Sequence, residues 1–225
     1  MKKYVIIVAG GSGQRMLSDI PKQFLNLAGK PVLLYSLEAF AKAIPDITII
    51  LVLPEEHINT WQKIIQDKKI SIQHIIVAGG ETRSQSVKNG LKLISEPGMV
   101  AIHDGVRPLI TSSLIQKLFE ETEKVGSAIP VIPVTDTVRK IDKNKSILLD
   151  RNNLRLVQTP QVFKSDLIQN VYKNISSGSY TDDAAVIESS GFGVHLCDGD
   201  PENIKLTKPM DMVFAEAILK QRYRS

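Results

Sequence analysis

Short runs of apolar, largely β-branched residues recur along the chain, and they constrain its fold more than any other feature. Longer segments separate them, and in these segments the apolar residues recur at helical spacing. Continuous apolar strands predict a sheet that is covered on both faces. The alternation of strands with helices predicts an α/β fold with a doubly wound, mainly parallel sheet and right-handed crossovers. The predicted strands are 5–8, 48–53, 74–78, 99–103 and 127–134, and the predicted helices include 32–43, 58–65 and 87–94.

The composition is typical of a globular protein that binds a small anionic ligand. The chain has 225 residues, 43% apolar and 23% charged, so we expect one domain over residues 1–225. The net charge is +4, and interleaved basic and acidic residues favour an anionic small molecule over nucleic acid. The single cysteine, Cys197, can form no intrachain disulfide, which predicts a reducing, cytoplasmic location. No apolar run reaches the ~18 residues of a membrane span, so no membrane partner is expected.

Residues 135–151 depart from the alternation of strands and helices. Two short strand-like pieces flank a polar turn at residues 142–145, which predicts a protruding β-hairpin arm. A charged hairpin of this kind is commonly a solvated excursion of the surface, and from its own residues that interpretation stays open.

A glycine-rich loop follows the first predicted strand. Successive backbone N–H groups without bulky side chains form a nest that binds phosphate oxygens. The Walker A motif is excluded because its Gly-Lys-Ser/Thr is missing, and the dinucleotide fingerprint fails because Met16 replaces a small residue. The loop consists of Ala9, Gly10, Gly11, Ser12 and Gly13.

The same connection holds two cations, Arg15 and Lys22. A nucleoside triphosphate carries several negative charges, which N–H groups alone compensate poorly. The pair therefore favours a triphosphate site over the alternative of a purely structural tight turn.

A second constellation follows the third predicted strand. Gly79 and Gly80 end this strand, and Arg83 and Ser86 begin the next helix. Small polar groups beside bare backbone suit recognition of the edge of a flat base, although Thr82 could also be a simple helix cap.

The fourth predicted strand ends in His103, Asp104 and Gly105, and Arg107 follows. A carboxylate at a strand end that faces phosphates is a usual ligand of Mg²⁺, so Asp104 is the candidate ligand for Mg²⁺ or another divalent cation. No serine or cysteine nucleophile motif accompanies His103. We therefore interpret it as a packed or hydrogen-bonded histidine.

Eight motifs occur in order along the whole chain: "AGGSGQRM", "PKQF", "GGETRSQSV", "HDGVRP", "DRNNL", "TPQVF", "TDDAAVIE" and "ENIKLTKP". Together they resemble the motifs of the 2-C-methyl-D-erythritol 4-phosphate cytidylyltransferases. Ribitol 5-phosphate cytidylyltransferases share most of these motifs, but "DRNNL" and "TDDAAVIE" are more similar to the methylerythritol enzymes. The resemblance implies a Rossmann-like nucleotidyltransferase fold. It also implies transfer of a cytidylyl group from CTP to 2-C-methyl-D-erythritol 4-phosphate, with release of pyrophosphate, on the non-mevalonate route to isoprenoid precursors.

The resemblance also assigns roles to single residues. Arg15 and Lys22 are implied to stabilise the transition state, and Asp104 to hold Mg²⁺ near the substrate. Glu81 stands where some relatives have Asp. The implied nucleotide-binding residues are Ala9, Gly10, Gly11, Ser12, Gly13, Gly80, Glu81, Arg83, Ser86, Gly105 and Lys205, and the implied substrate-binding residues are Asp104, Arg107, Thr137, Arg151, Thr159 and Thr181.

For the arm, the resemblance implies exchange between two subunits of a homodimer. Thr137 and Arg151 of one chain would then hold the sugar phosphate in the other chain's site, with Thr159 and Thr181 as further candidates. From the residues alone, Thr159 before Pro160 fits an ordinary turn, and Thr181 fits a helix cap.

Two other classes of protein remain as alternatives. A noncatalytic nucleotide-binding protein could keep the same loops, but the combination of Arg15, Lys22 and Asp104 favours an enzyme. A nicotinamide-dependent dehydrogenase is supported only by the alternating fold and is opposed by the failed fingerprint.

Overall fold

An eight-stranded mixed sheet forms the centre of the fold. The computed structural model describes residues 1–10, 20–143, 145–175 and 180–223. The strands are β1 (Lys2–Val8), β2 (Asn26–Leu27), β3 (Lys30–Pro31), β4 (Thr48–Leu53), β5 (Ile75–Ala78), β6 (Gly98–Asp104), β7 (Ser127–Pro133), β8 (Val138–Asp142), β9 (Lys145–Leu149), β10 (Arg155–Val157), β11 (Gln161–Lys164) and β12 (Leu196–Asp198). The α-helices are α1 (Val32–Ala43), α2 (Glu55–Asp67), α3 (Arg83–Leu91), α4 (Ser112–Val125), α5 (Ser165–Asn174), α6 (Asp183–Ser189) and α7 (Pro209–Arg222). The order of strands in the central sheet is β10-β7-β11-β6-β1-β4-β5, with β12 also paired to β7.

Strands β6, β1, β4 and β5 form the parallel part of the sheet, as the sequence predicts. In the register, Val8 lies beside both Val52 and Asp104, so these three strands end at the same level. Strand β11 was not predicted. It runs antiparallel between β6 and β7, and together with β10, which also pairs antiparallel with β7, it makes the sheet mixed.

Helices cover both faces of the sheet, which confirms the doubly wound prediction. Along β1, Ile7 packs with α1, α2 and α4, whereas Ile6 packs with α3, α5 and α6. Successive strand residues point to opposite faces, so continuous apolar strands supply both cores. A smaller third cluster joins α7 to Leu27 and Val32.

The predicted arm is a separate two-stranded sheet. Strands β8 and β9 pair antiparallel from Val138 with Leu149 to Asp142 with Lys145. Ile141, Ile147 and Leu148 of this hairpin are at least half exposed. Within the part of the chain that the structure describes, no helix has the length and apolar character needed to cross a membrane.

Candidate active site

The loops that follow β1, β5 and β6 begin at one edge of the sheet. The amide of Ala9 donates to the carbonyl of Val52 (3.0 Å), and the amide of Gly105 donates to the carbonyl of Val8 (2.9 Å). The amide of Gly79 donates to the carbonyl of Leu53 (2.7 Å). Ligands of open α/β sheets bind beyond the carboxyl ends of the strands, and these loops form that edge.

Asp104, at the end of β6, lies among three cationic side chains. Lys205 Nζ lies 2.9 Å from Asp104 Oδ2, and Arg83 Nε lies 3.5 Å from Oδ1. Arg107 Nε lies 3.8 Å from Oδ2, which is too long for a hydrogen bond. The site therefore concentrates positive charge around one nearly buried carboxylate.

These cations keep Asp104 ionised. Burial is the largest single influence on the pKa of Asp104 and would raise it. The charges of Arg83, Lys205 and Arg107 together outweigh burial and hold this pKa well below its usual range. Asp104 is consequently a carboxylate throughout the neutral pH range, as a cation ligand must be.

His103 lies behind Asp104 and is fully buried. Burial lowers the pKa of His103 to about 3, so the imidazole is neutral near pH 7. Thr159 Oγ1 accepts a hydrogen bond from the Asp104 amide (3.0 Å) and lies 3.3 Å from His103 Nδ1. His103 Nε2 lies 3.3 Å from the carbonyl of Arg107 and can donate to it. His103 is thus a hydrogen-bonded support of the β6 end, as the sequence analysis expects.

Ser86 holds the loop between β5 and α3 together through two hydrogen bonds to its backbone. Ser86 Oγ accepts a hydrogen bond from the Gly80 amide (3.1 Å) and donates to the carbonyl of Thr82 (3.0 Å). Thr82 caps α3, since its Oγ1 accepts from the amide of Gln85 (3.1 Å). A Cβ atom at Gly80 would lie 2.1 Å from Gln85 Cγ, so this turn requires glycine.

Two neighbouring cavities meet at Asp104. The smaller, about 260 Å³, is lined by the predicted nucleotide-binding residues Ala9, Gly10, Gly80, Glu81, Arg83, Ser86 and Lys205, by the predicted catalytic residue Lys22 and by the predicted metal ligand Asp104, among others. The larger, about 540 Å³, includes Arg107, Thr159 and Thr181 in its wall. Arg83, Asp104 and Lys205 line both cavities. A ligand in one cavity therefore shares charged groups with a ligand in the other.

A further hollow of about 1120 Å³ lies at the opposite edge of the sheet, near Met1, Lys2 and Lys3. Its volume is larger than that of either cavity at Asp104, but none of the predicted site residues lines it. Its position at the amino end of β1 places it away from the strand ends where ligands of such sheets bind.

The remaining predicted site residues either line neither cavity, have a different local role or lie outside the described residues. Gly105 is packed against Ala9 and Leu33, where an added Cβ would come within 3.0 Å of both side chains. Asp182, not Thr181, caps α6, so the helix-cap interpretation of Thr181 is wrong. Gly11, Ser12, Gly13 and Arg15 lie outside the described residues.

Thr137 and Arg151 lie at the base of the arm, and both are exposed. Arg151 donates a hydrogen bond to the carbonyl of Thr135. Neither Thr137 nor Arg151 is among the described residues that line the two cavities of this chain. A role in substrate binding therefore requires that the arm reach another site.

Sequence reasoning missed several buried polar residues that hold the site together. Asn203 Nδ2 donates to the carbonyl of Thr159 (2.9 Å), and the carbonyl of Asn203 accepts from Arg107 (2.8 Å). Gln23 Nε2 donates to the carbonyl of Ala9 (2.9 Å). The usable signal was a polar residue inside a motif already noted, "ENIKLTKP" for Asn203 and "PKQF" for Gln23. Their partners are distant in sequence, so the pattern alone could not pair them.

Comparison with known proteins gives one consistent result. Residues 3–221 match the family model for 2-C-methyl-D-erythritol 4-phosphate cytidylyltransferase. The enzyme of that name from Bacteroides thetaiotaomicron is 47% identical over 97% of this chain and 100% of its own. The one from Bacillus velezensis is 37% identical over 98% of this chain and 97% of its own.

Solved structures agree. The crystal structure of 4-diphosphocytidyl-2C-methyl-D-erythritol synthase from Anaerococcus prevotii has a TM-score of 0.84 at 30% identity, with 97% of this chain and 96% of that chain covered. The 2-C-methyl-D-erythritol 4-phosphate cytidylyltransferase structure from Thermus thermophilus has a TM-score of 0.78 at 30% identity and covers 98% and 100%. The chain therefore belongs to the 2-C-methyl-D-erythritol 4-phosphate cytidylyltransferase family.

Proposed function

We propose that this enzyme transfers the cytidylyl group of CTP to 2-C-methyl-D-erythritol 4-phosphate where its two cavities meet. The products are 4-diphosphocytidyl-2-C-methyl-D-erythritol and pyrophosphate, in isoprenoid precursor synthesis. The observation that best supports this mechanism is that the two cavities share one wall, which is formed by Arg83, Asp104 and Lys205. A reaction between two phosphates needs cations that touch both substrates, and this wall provides them.

CTP is assigned to the smaller cavity. Its base would lie against the turn at Gly80, where the absence of a side chain lets a flat ring approach the exposed backbone. Lys22 and Lys205 line the same cavity and carry the positive charge that phosphates require. Arg15 and the loop of Gly11, Ser12 and Gly13 are proposed to complete the triphosphate site.

The sugar phosphate is assigned to the larger cavity. Its phosphate, whose second pKa is about 6, is already largely dianionic at neutral pH and needs no general base. A phosphate oxygen would attack the α-phosphorus of CTP in line, and pyrophosphate would leave on the opposite side. The protein's task is to reduce the repulsion between the two anions by placing fixed cations beside them.

The residues at Asp104 fit a Mg²⁺ ion that is held mainly by phosphates. Asp104 is one ionised carboxylate, and the described residues hold no group of three or more acidic, histidine or cysteine side chains that could form a complete protein site. Mg²⁺ usually binds one or two carboxylates and completes its shell with water and substrate oxygens. When bound, it would neutralise charge on the phosphate oxygens. Lys205 contacts the carboxylate of Asp104 that would hold such an ion, and we propose that Lys205 moves to a phosphate when the nucleotide binds.

The arm is proposed to complete the site of a second subunit. The hairpin exposes Ile141 and Leu148 on one face and Ile147 on the other. An isolated two-stranded sheet is only marginally stable in water, so these side chains favour packing against a second chain. A homodimer would bring Thr137 and Arg151 to the sugar phosphate of the partner. Because CTP is a cytoplasmic metabolite, we propose that the enzyme acts in the cytoplasm.

The proposal is tested by pyrophosphate release with CTP and Mg²⁺. 2-C-methyl-D-erythritol 4-phosphate, ribitol 5-phosphate and a sugar 1-phosphate are supplied in parallel, and each is repeated with the other nucleoside triphosphates. We expect turnover to require CTP and the methylerythritol substrate. A higher kcat/KM for ribitol 5-phosphate would contradict the assigned substrate. CTP binding without turnover of any acceptor would contradict an enzymatic role.

A further inference from the structure

A buried carboxylate outside both cavities, Asp183, is bound to Arg83. Asp183 begins α6 and has no exposed surface. Its Oδ2 accepts a hydrogen bond from Arg83 NH2 (2.7 Å), and its Oδ1 accepts one from the hydroxyl of Tyr172 (2.6 Å). Each oxygen therefore has a strong donor, and the two donors fix the orientation of the carboxylate.

The main chain at Asp183 is fixed as well. Gln161 Oε1 accepts hydrogen bonds from the amides of Asp183 (3.1 Å) and Ala184 (2.8 Å). Gln161 Nε2 donates to Asp182 Oδ2 (2.8 Å). Gln161 lies on β11 and Tyr172 on α5, so the two consecutive elements that precede α6 hold this carboxylate in place.

Arg83 lies between two carboxylates at unequal distances. It donates to Asp183 at 2.7 Å, whereas its Nε lies 3.5 Å from Asp104. Burial would lower the pKa of Arg83, but Asp183 first and then Asp104 raise it, so the guanidinium stays charged. Arg83 is thus paired closely with the carboxylate that faces away from the cavities and loosely with the one that faces them.

We propose that Asp183 is a positioning residue, which holds Arg83 back from close pairing with Asp104 and so keeps Asp104 available to a divalent cation. Tyr172 and Gln161 fix the carboxylate that does this. Without the charge of Asp183, Asp104 is the remaining carboxylate within ion-pairing distance of Arg83 among the described residues. The guanidinium would close on Asp104 and compete with the cation. This inference rests on the proposed metal role of Asp104, and the experiment below separates the two.

The test measures Mn²⁺ binding by EPR of the free ion, in the presence of CTP and with binding to CTP alone subtracted. Full-length wild type, Asp183→Asn and Asp104→Asn are compared. Asp183→Asn keeps the size of the side chain and removes its charge. We expect it to weaken Mn²⁺ binding about tenfold, the factor that corresponds to one charge-assisted hydrogen bond gained between Arg83 and Asp104.

The outcomes are distinguishable. If Asp104→Asn abolishes Mn²⁺ binding and Asp183→Asn leaves it unchanged, the positioning role is wrong and the metal site stands. If Asp104→Asn leaves Mn²⁺ binding unchanged, the metal site is wrong, and the positioning role fails with it.

A double-mutant cycle separates positioning from general packing. If Asp183 acts through Arg83, Asp183→Asn has no further effect on Mn²⁺ affinity once Arg83→Met is present. An equal effect in both backgrounds would show that Asp183 only supports the fold, and would overturn the inference.

If Asp183→Asn does not fold, Tyr172→Phe takes its place in the cycle, because it removes one donor and keeps the charge. A loss of at most about fivefold that disappears with Arg83→Met is then expected, and no loss overturns the inference.

Discussion

At the scale of single residues, the site is organised by one carboxylate that is nearly buried and surrounded by cations. Asp104 lies within 4 Å of Lys205, Arg83 and Arg107 side-chain nitrogens. Of these three, Lys205 is the most exposed, with 44% of its side chain accessible. Lys205 is therefore the cation whose separation from Asp104 requires the least free energy.

We predict opposite effects of Lys205→Met on two ligands. Removing the ammonium group removes a competitor for Asp104, so Mn²⁺ should bind more tightly to the nucleotide-free enzyme. It also removes a phosphate contact, so KM for CTP should rise about tenfold, as for a weak charge-assisted hydrogen bond. EPR titration and steady-state kinetics measure the two effects. Lys208→Met, at an exposed lysine outside both cavities, is the control and should change neither. An unchanged KM in Lys205→Met would contradict the phosphate contact.

His103 should make stability depend on pH between about 3 and 6.5. In the folded protein its pKa is lowered to about 3, and in the unfolded chain it is about 6.5, so the unfolded chain binds more protons in this interval. The free energy of unfolding should therefore fall as pH decreases from 6.5, by up to about 1.4 kcal/mol per pH unit from this residue.

Urea denaturation from pH 4.5 to 7.5 measures this slope. His103→Gln should lower stability at pH 7 and flatten the dependence. His195→Gln, a matched change at an exposed histidine, should leave the slope close to that of wild type. Parallel pH curves for wild type and His103→Gln would show that His103 does not titrate as described.

At the scale of elements, the β5–α3 connection shows how a turn determines a binding surface. An added Cβ at Gly80 would lie 2.1 Å from Gln85 Cγ and 2.6 Å from Gln85 Cβ. The helix fixes the Cβ position of Gln85, so rotation of its side chain can relieve the clash with Cγ but not the 2.6 Å approach to Cβ. A side chain at Gly80 therefore moves the start of α3, which carries Arg83 and Ser86.

Gly80→Ala should lower the free energy of unfolding by about 1–3 kcal/mol, the usual cost of an overpacked site, and raise KM for CTP. Urea denaturation and CTP kinetics measure the two effects. Gly193→Ala is the matched control, because no atom lies within 4 Å of its added Cβ and its φ is outside the left-handed region. The control should change stability by less than about 0.5 kcal/mol. Equal behaviour of the two variants would contradict the requirement for glycine at the turn.

The spacing of apolar residues along the sequence correctly predicted those helices and strands that depend mainly on neighbouring residues. The predicted helix 32–43 coincides with α1, and the predicted strand 48–53 coincides with β4. Strand β11 was missed because it has only four residues, and its partners β6 and β7 lie far away in sequence. For the same reason, Asp104 could be predicted from the sequence and Asp183 could not. Asp104 follows the rule that ligands bind at strand ends, whereas the importance of Asp183 depends on contacts with Arg83 and Tyr172 that only the fold creates.

At the scale of the whole molecule, two features of the arm cannot be explained by contacts with the rest of its own chain. Its apolar side chains are exposed on both faces, and its base carries Thr137 and Arg151 away from the cavities of the same chain. An exchanged arm explains both features at once. Each active site would then combine the body of one subunit with the arm of the other.

Mixing two inactive variants tests this arrangement. Lys22→Ala damages the body and Arg151→Ala damages the arm, and each alone should lower activity, by on the order of 10² for a lost preorganised cation. In a mixed dimer with exchanged arms, one site combines both defects and the other has neither. With random mixing, half of the dimers are mixed and each has one intact site, so activity should recover to about one quarter of wild type.

The control mixes Lys22→Ala with Lys205→Met, two defects of the body, and should show no more activity than the mean of its two parents, because every site keeps one defect. Differently tagged chains that are purified together establish that mixed dimers are present. If mixed dimers of Lys22→Ala and Arg151→Ala show no more activity than their parents, Arg151 acts within its own chain or not at all. Recovery in that pair and none in the control would place the arm of one subunit in the active site of the other, because no other pairing restores a complete set of residues.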